Sequence, residues 1–251
     1  MNQMDLTQTM TTEERAYQRI IQATSLEDMT TRLVEYPCKR CTLSKLQNRV
    51  VVFRGSLDAK IMLVGEAPGK VEDRTRSPFT GPAGELTDKI FAAVGISTNR
   101  DMYLGNICKC RPVAQKGSGR ENFTPQADQR KQCMPYILRE IELLNPKLII
   151  ACGLTAAKTL FNMGENTRMK HIASKNFTKD EPSQLKGRTL FVMYHPAAIL
   201  HAQGDRKREL REIMWKDAQE LRRVVDGLGI TLIGCLPEGA DRECQTGVKT
   251  A

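Results

Sequence analysis

The sequence predicts an α/β protein, a three-layer α/β/α sandwich with a central four-stranded parallel sheet. Two observations support this fold. Short continuous runs of Ile, Leu and Val are typical of strands that are buried on both faces. These runs alternate with segments of helical periodicity, which favours parallel strands joined by right-handed crossovers. The four predicted strands occupy residues 60–64, 102–107, 147–152 and 189–194.

The predicted helices between the strands have recognisable starts and ends. Pro82 begins one helix, and Gly95 ends it. Thr124 and Pro125 form a cap and first turn for the next helix, which stops before Pro146. Two further helices are predicted over about 155–163 and about 206–225. Because ligands of such sheets bind beyond the carboxyl ends of the strands, the segments that follow the four strands are where we expect a site.

The length of the chain predicts a simple domain organisation. The 251 residues suit one domain with additional ends. We expect an N-terminal helical extension over 1–35, a domain over 36–226 and a flexible C-terminal tail over 227–251, in a monomeric protein.

The sequence contains neither a secretory signal nor an apolar run long enough to cross a membrane. We therefore expect a cytoplasmic protein without a membrane partner.

The charge of the chain bears on its partners. Lys and Arg outnumber Asp and Glu by 38 to 29, and the formal net charge is +9. Such a surplus favours a polyanionic partner, usually nucleic acid. A generally basic, solvated surface explains the charge equally well, because net charge does not say where the charges lie.

The cysteines suggest a metal site without defining it. In a reducing compartment, eight cysteines indicate metal ligands or spare thiols rather than disulfides. Cys38 and Cys41 form a Cys-x-x-Cys pair, which is compatible with a redox dithiol, half of a zinc site, half of an iron–sulfur site, or no function. Cys110 and Cys133 supply a second pair, and Cys108 competes with Cys110. Four thiolates can hold zinc or an iron–sulfur cluster, and the irregular spacing favours the cluster.

Several motifs in the same order resemble a known family. Residues 65–69 (GEAPG) and 77–84 (SPFTGPAG) are similar to the first motif of the family 4 uracil-DNA glycosylases, which belong to the uracil-DNA glycosylase superfamily. Residues 106–112 (NICKCRP) resemble its Asn-x-x-Lys-Cys-Arg-Pro stretch, and 194–197 (YHPA) its second catalytic motif. The similarity is collinear over about 36–217, most of the chain. Several motifs in one order are far more specific than any of them alone.

The resemblance implies an activity, a cofactor and a partner. The protein would hydrolyse the N-glycosidic bond of uracil in single- or double-stranded DNA and leave an abasic site, as in base excision repair. It would carry a [4Fe–4S] cluster with a structural role. The implied cluster ligands are Cys38, Cys41, Cys110 and Cys133, with Cys110 favoured over Cys108 because the family ligand directly precedes Arg-Pro.

The resemblance also implies two catalytic residues. A neutral His195 would donate a hydrogen bond to uracil O2 as negative charge develops there. Glu66 would orient or activate the attacking water, and its charge would favour a cationic sugar. Ala67 stands where other glycosylase families carry Asp or Asn, which leaves the water to Glu66.

Other residues are implied to bind the base and the DNA. Phe79 would stack on a uracil held outside the helix, and Asn106 would read its O4 and N3–H edge. Glu72 would exclude the methyl group of thymine. At Gly69, Gly81 and Gly84 the backbone would approach the base and the phosphates closely, and Ala67 would also contact the substrate. Ile199 or Leu200 would fill the gap that the flipped base leaves in the DNA. Lys109, Arg111, Lys170, Lys175, Arg206, Lys207 and Arg208 form a basic set that could contact phosphates.

Three other functions fit parts of the pattern. A relative that captures uracil-DNA covalently would need a histidine after Asn106, and residues 108–124 contain none. A non-catalytic iron–sulfur protein that binds nucleic acid or senses redox state would keep the cysteines but need not keep Glu66, Phe79, Asn106 and His195. A superfamily member with another damaged-base specificity would keep the fold and change the shape of the pocket.

Overall fold

The structure is a computed structural model that describes residues 10–36, 38–45, 50–113, 123–164 and 166–234. Of the predicted C-terminal tail, residues 235–251 lie outside the described residues. No helix within the described ranges is both long and apolar enough to span a membrane.

In the part of the chain that the structure describes, the sheet has six strands, in the order β1-β3-β2-β4-β6-β5. The central four, β2, β3, β4 and β6, pair in parallel, which confirms the four predicted strands. The short strands β1 and β5 join the two edges antiparallel. The strands are β1 (Phe53–Gly55), β2 (Ile61–Gly65), β3 (Met102–Asn106), β4 (Leu148–Cys152), β5 (Lys175–Phe177) and β6 (Thr189–Met193).

The two edge strands correct the prediction of a purely parallel, four-stranded sheet. Each has only three residues, and none of the six is fully buried. A strand of this kind leaves no continuous apolar run in the sequence, because one side of its ladder and much of its surface face solvent. Only pairing with β3 and β6 identifies them as strands.

Nine α-helices are found among the described residues. The helix predicted to start with the Thr124–Pro125 pair begins at Ala127, where Gln126 is the N-cap residue and its backbone N–H donates to Gln129 Oε1 at 2.8 Å. The helices are α1 (Thr12–Ile21), α2 (Leu26–Glu35), α3 (Lys70–Thr75), α4 (Pro82–Ala92), α5 (Ala127–Leu144), α6 (Leu154–Leu160), α7 (Met169–Ile172), α8 (Ala197–His201) and α9 (Gly204–Gly227).

Side chains of the parallel strands alternate between two separate cores. Ile61 and Leu63 of β2 point into the core that is covered by α4 and α9. Met62 and Val64 point into the opposite core, which is covered by α5 and α6. All five residues of β2 are buried, as expected for a strand with helices on both faces. The result is the predicted three-layer sandwich.

The N-terminal helices are docked onto the domain. Ile20 of α1, together with Met29 and Leu33 of α2, is buried in one cluster with Tyr136 of α5. Thr11 caps α1 through a reciprocal hydrogen bond with Glu14. The predicted boundary near residue 35 therefore falls between segments that pack together, and the division into an extension and a domain stays a prediction.

Candidate active site and cysteine cluster

A cavity of about 350 Å³ opens beyond the carboxyl ends of the parallel strands. It lies where the chain order reverses, since β3 extends the sheet on one side of β2 and β4 on the other. The loops after β2, β3 and β6 all contribute to its wall. The lining residues are Ala67, Pro68, Gly69, Lys70, Val71, Glu72, Phe79, Gly81, Pro82, Ala83, Gly84, Asn106, His195, Ala197, Leu200 and His201.

Most residues that the sequence singled out meet at this cavity. Nine of the eleven predicted catalytic, substrate and DNA-contact residues line it. They are Ala67, Gly69, Glu72, Phe79, Gly81, Gly84, Asn106, His195 and Leu200. The other two, Glu66 and Ile199, do not belong to the wall.

Phe79 is held in an uncommon backbone conformation. Its φ is +56°, and its side chain is only 5% exposed. Gly84 packs directly against the backbone of Phe79, where a Cβ on Gly84 would stand 1.9 Å from the Phe79 carbonyl oxygen. The Phe79 ring faces the His195 ring at 6.3 Å between centroids, with 21° between the planes. The flat face of the Phe79 ring therefore lies beside the hydrogen-bonding imidazole of His195 in the cavity wall.

Asn106 lies against the same wall at the end of β3. It is 4% exposed, yet it lines the cavity. A Cβ on Gly65 would stand 2.4 Å from Asn106 Oδ1 and 2.9 Å from Phe79 Cζ. Glycine at position 65 therefore allows the amide and the aromatic ring to approach the backbone together.

The position of the proton on His195 follows from one hydrogen bond. The backbone N–H of Ala197 donates to His195 Nδ1 at 3.1 Å. In a neutral imidazole the proton then resides on Nε2, which becomes a donor. Burial lowers the pKa of His195 to about 4, because the charged ring loses hydration. His195 is thus a neutral donor at physiological pH.

Asp217 supports the turn that carries His195, and sequence reasoning missed it. This residue of α9 is 1% exposed. Its Oδ2 accepts the backbone N–H of Tyr194 at 3.1 Å, and its Oδ1 accepts the hydroxyl of Ser174. Its helical spacing could have identified it, because Asp217 falls on the apolar stripe of α9 together with Leu210, Met214 and Leu221. A carboxylate on a buried stripe indicates a specific hydrogen-bonding partner.

Glu72 joins two loops of the cavity wall. Its Oε1 accepts the backbone N–H of Gly81 at 3.0 Å, at the start of α4. A Cβ on Gly69 would stand 2.7 Å from Glu72 Oε2. The carboxylate therefore fixes the beginning of α4 to α3, as well as presenting oxygen atoms to the cavity.

The two residues predicted to fill the gap in the DNA, Ile199 and Leu200, face different directions on α8. Ile199 is 4% exposed and packs with Leu210 and Met214, so of the two residues Leu200 is the better placed for a DNA contact, which stays a prediction. Leu200 is 43% exposed and lines the cavity. Adjacent residues of a helix point in directions about 100° apart, which is why only one faces outward.

Lys109, one of the predicted phosphate-contacting residues, is buried in the structure. Its side chain is 2% exposed and forms an ion pair with Glu140 at 2.6 Å. A buried ammonium paired in this way cannot reach a phosphate on the surface. Other members of the set, such as Arg206 and Arg208, lie on exposed parts of α9 beside carboxylates of the same helix.

Cysteines from three segments converge beside the sheet. Cys38 and Cys41 precede β1, Cys110 follows β3, and Cys133 lies on α5. The pKa of Cys110 is raised, first by burial and then by its proximity to the sulfur atoms of Cys133, Cys38 and Cys41. The four predicted ligands are thus close enough to interact electrostatically.

Basic and N–H groups surround these sulfur atoms. The N–H of Arg40 donates to Cys38 Sγ at 3.4 Å, and the guanidinium of Arg40 donates to the Gln132 carbonyl at 3.1 Å. The pKa of Cys133 is lowered because it accepts hydrogen bonds from the Cys108 thiol and the Lys109 backbone. Hydrogen bonds to sulfur favour the thiolate, the form in which cysteine binds metal, whereas burial raises the pKa of Cys38, Cys41 and Cys110.

Cys38, Cys41, Cys110 and Cys133 together supply the four thiols that a [4Fe–4S] cluster requires. Within the described ranges, no group of three or more Cys, His, Asp or Glu side chains forms a site for one ion. In a [4Fe–4S] cluster each thiolate binds a different iron atom, so the sulfur atoms stand farther apart than around zinc.

Comparison with known proteins agrees with this architecture. Residues 52–219 match the model of the uracil DNA glycosylase superfamily. The type-4 uracil-DNA glycosylase of Thermotoga maritima is 32% identical over 188 residues, which are 75% of this chain and 89% of that protein. The corresponding enzymes of Pyrobaculum aerophilum and Archaeoglobus fulgidus are 34% and 32% identical, over 72% and 70% of this chain and 85% and 84% of their own lengths. The chain therefore belongs to the uracil DNA glycosylase superfamily.

Proposed function

We propose that this protein is a uracil-DNA glycosylase of base excision repair. It hydrolyses the bond between uracil and deoxyribose, so that water supplies a hydroxyl to the sugar carbon and a proton to the base. The observation that carries the proposal is the convergence of Phe79, Asn106 and His195 on one cavity. The type-4 uracil-DNA glycosylases that match most of this chain support the same activity.

Uracil recognition needs a flat face and a matched hydrogen-bonding edge. In the proposed complex, the flipped base stacks on Phe79. The Asn106 side chain has one donor and one acceptor group, which match O4 and N3–H of uracil and oppose the reversed pattern of cytosine. Glu72, fixed by Gly81, stands in the wall where it can exclude the methyl group of thymine.

Bond cleavage needs stabilisation of the leaving uracil anion. The Nε2–H of neutral His195 donates to uracil O2 as the negative charge develops. Asp217 holds the preceding Tyr194 backbone and so acts as a positioning residue. For the water, Glu66 stays our proposal on the strength of its place directly after β2, although the cavity wall does not include its side chain.

DNA binding and the cofactor complete the proposal. Leu200, exposed at the cavity mouth, fills the gap left by the flipped base. Cys38, Cys41, Cys110 and Cys133 hold a [4Fe–4S] cluster. When bound, this cluster supplies a structural cross-link between the N-terminal cysteine pair, the loop after β3 and α5. Monomeric state and cytoplasmic location stay predictions.

The activity is tested with single-stranded DNA that contains one uracil. Incubation with the purified full chain, without added metal, should produce an abasic site that alkali cleaves. Matched strands with cytosine, thymine or hypoxanthine should remain intact. Absence of product from protein with an intact cluster would refute the proposal, whereas release of hypoxanthine alone would indicate another damaged-base specificity.

Gly65→Ala is expected to reduce turnover by roughly a hundredfold while the protein remains folded. The new Cβ would collide with the Asn106 amide and the Phe79 ring, and a displacement of about 1 Å at an active site can cost this much. Single-turnover kinetics measure the loss. Gly164→Ala is the matched control, because its Cβ would meet nothing within 4 Å. Equal activity of the two variants would show that the packing around Gly65 is irrelevant to catalysis.

The His195 ring is expected to remain neutral until the pH approaches 4. Burial disfavours the protonated ring, so the folded state binds this proton less readily than the unfolded chain, whose pKa is near 6.5. The group therefore destabilises the fold as pH falls from 6.5 toward 4. Titration of the NMR signal that His195→Ala removes measures the midpoint. A midpoint between 6 and 7 would contradict the neutral-donor mechanism.

A further inference from the structure

A second cavity, of about 250 Å³, lies at the edge of the sheet opposite the candidate active site. Lys60, Lys147 and Arg188 come directly before β2, β4 and β6, and these parallel strands all begin at the same edge of the sheet. The length of the strands therefore separates this cavity from the proposed uracil site at their carboxyl ends. Its wall consists of Lys60, Asn145, Pro146, Lys147, Lys186, Gly187 and Arg188.

Backbone hydrogen bonds hold the segments of this wall side by side. The N–H of Lys147 donates to the Lys60 carbonyl at 2.9 Å, and the N–H of Thr189 donates to the Lys147 carbonyl at 3.0 Å. Left-handed backbone at Asn145 and Gly187, with φ of +50° and +74°, turns the chain just before β4 and β6. The wall is therefore built on the end of the sheet rather than on a long loop.

The wall carries four positive charges and no acidic residue. Lys60, Lys147, Lys186 and Arg188 are four of its seven residues. None of the four forms an ion pair within the part of the chain that the structure describes. By contrast, Arg206 on α9 is paired with a carboxylate of its own helix. Unpaired charges of one sign repel each other, and a bound anion offsets that repulsion.

The guanidinium of Arg188 is held in place by neutral acceptors of the same wall. Its Nη2 donates to Asn145 Oδ1 at 2.8 Å, and its Nη1 donates to the Lys186 carbonyl at 3.3 Å. Its Nε is buried and has no hydrogen-bond partner among the described residues. Glu142, which acts on Arg188 electrostatically, is itself paired with Arg139 at 2.6 Å. An oriented guanidinium without a direct carboxylate partner suits recognition of a phosphate.

The carbonyl end of a helix accounts for only part of this charge. Cations are favourable near such ends, and Lys147 Nζ donates to the Leu228 carbonyl at 3.4 Å, directly after α9. The ammonium groups of Lys60 and Lys186 are exposed and have no hydrogen-bonding partner in the ranges that the structure describes. Their charges are therefore available to a ligand.

We propose that this second cavity binds a phosphate group that carries two negative charges. Free pyrophosphate and the phosphate at the end of a DNA strand present the same oxygen atoms to the wall. The group accepts hydrogen bonds from Arg188 and offsets the repulsion between the lysines. The inference does not depend on the proposed glycosylase activity, because the two cavities lie at opposite edges of the sheet.

The test titrates the full chain with inorganic pyrophosphate by calorimetry, while sodium chloride is adjusted to keep the ionic strength constant. The wild type should bind pyrophosphate. Arg188→Gln and Lys186→Gln should each weaken binding by about tenfold or more, as expected for the loss of one charged hydrogen-bond donor. Lys186 has no side-chain partner in the described ranges, so Lys186→Gln should keep its fold even if Arg188→Gln does not. Circular dichroism checks both variants.

Arg206→Gln is the matched control, because Arg206 is an exposed cation that is paired with Glu209 at 2.6 Å. It should bind pyrophosphate as the wild type does. Equal pyrophosphate affinity of the wild type and both cavity variants would overturn the inference, and so would an absence of binding at constant ionic strength.

A second arm of the test identifies the source of the phosphate. It measures binding of a uracil-free single strand of DNA with and without a 5′-phosphate. If Lys186→Gln weakens binding of the phosphorylated strand alone, the ligand is a DNA end. If the variant loses pyrophosphate and binds both strands as the wild type does, the ligand is a free phosphate compound. The uracil assay reports on the glycosylase separately.

Discussion

Replacing His195 with alanine should reduce the rate of uracil release by about a hundredfold to a thousandfold, as is typical for a lost donor to a developing anion. The reason is specific to this site. Ala197 fixes the neutral tautomer of His195 by donating to Nδ1, so that Nε2–H is available to the base. Because the donor acts mainly in the transition state, the loss should appear in kcat more than in KM.

The matched control for this variant is His171→Ala. His171 is exposed on α7, outside the cavity wall, so its removal should leave the rate of uracil release unchanged. Both rates are measured under single-turnover conditions on the same uracil oligonucleotide, and circular dichroism checks the fold. A wild-type rate of uracil release in His195→Ala would contradict a catalytic role for His195.

Asp217 offers an independent check on the same mechanism. Asp217→Ala deletes the acceptor for the Tyr194 N–H, whereas Asp217→Asn retains an acceptor oxygen. If Asp217 acts by positioning His195, the asparagine variant should recover much of the lost kcat, and the NMR signal of the His195 ring should shift in the alanine variant only. A purely structural role would instead lower stability in both variants without moving that signal.

Removing Cys133, a predicted cluster ligand, should abolish iron binding. Cys133→Ala deletes the one predicted ligand on α5, and the remaining three thiols cannot saturate a [4Fe–4S] cluster. Because cluster binding stabilises only the folded state, the temperature of unfolding should also fall. Iron analysis, visible absorbance and thermal unfolding measure the two effects.

Cys152→Ala is the control for Cys133→Ala. Both are buried thiols in strands or helices of the core, at 1% and 3% exposure. Cys152 packs in the core on the α4 and α9 side, away from the other cysteines. We expect Cys152→Ala to retain full iron and to lose only about 1 kcal/mol of the free energy of unfolding. Full iron in Cys133→Ala would exclude Cys133 from the ligand set.

Two parts of the site show how far sequence reasoning reaches. Phe79, Asn106 and His195 were found because each follows a predicted strand or stands in a motif, and parallel strands end at one edge of the sheet. The burial of Ile199 and Lys109 could not be predicted, because the sequence does not fix which way a side chain faces in a one-turn helix or a loop. Asp217 was missed because a carboxylate in a charged helix looks solvent-exposed until its partners are known.

The sequence by itself determined the layered α/β fold, the four central strands and the family, since buried runs and ordered motifs are local features of the chain. Only the tertiary structure revealed the edge strands, the separation of Leu200 from Ile199, the tautomer of His195 and the hydrogen bond from Tyr194 to Asp217. The physical reason is the same in each case. These features depend on distances between segments that are far apart in the chain, and such distances are set by packing rather than by local pattern.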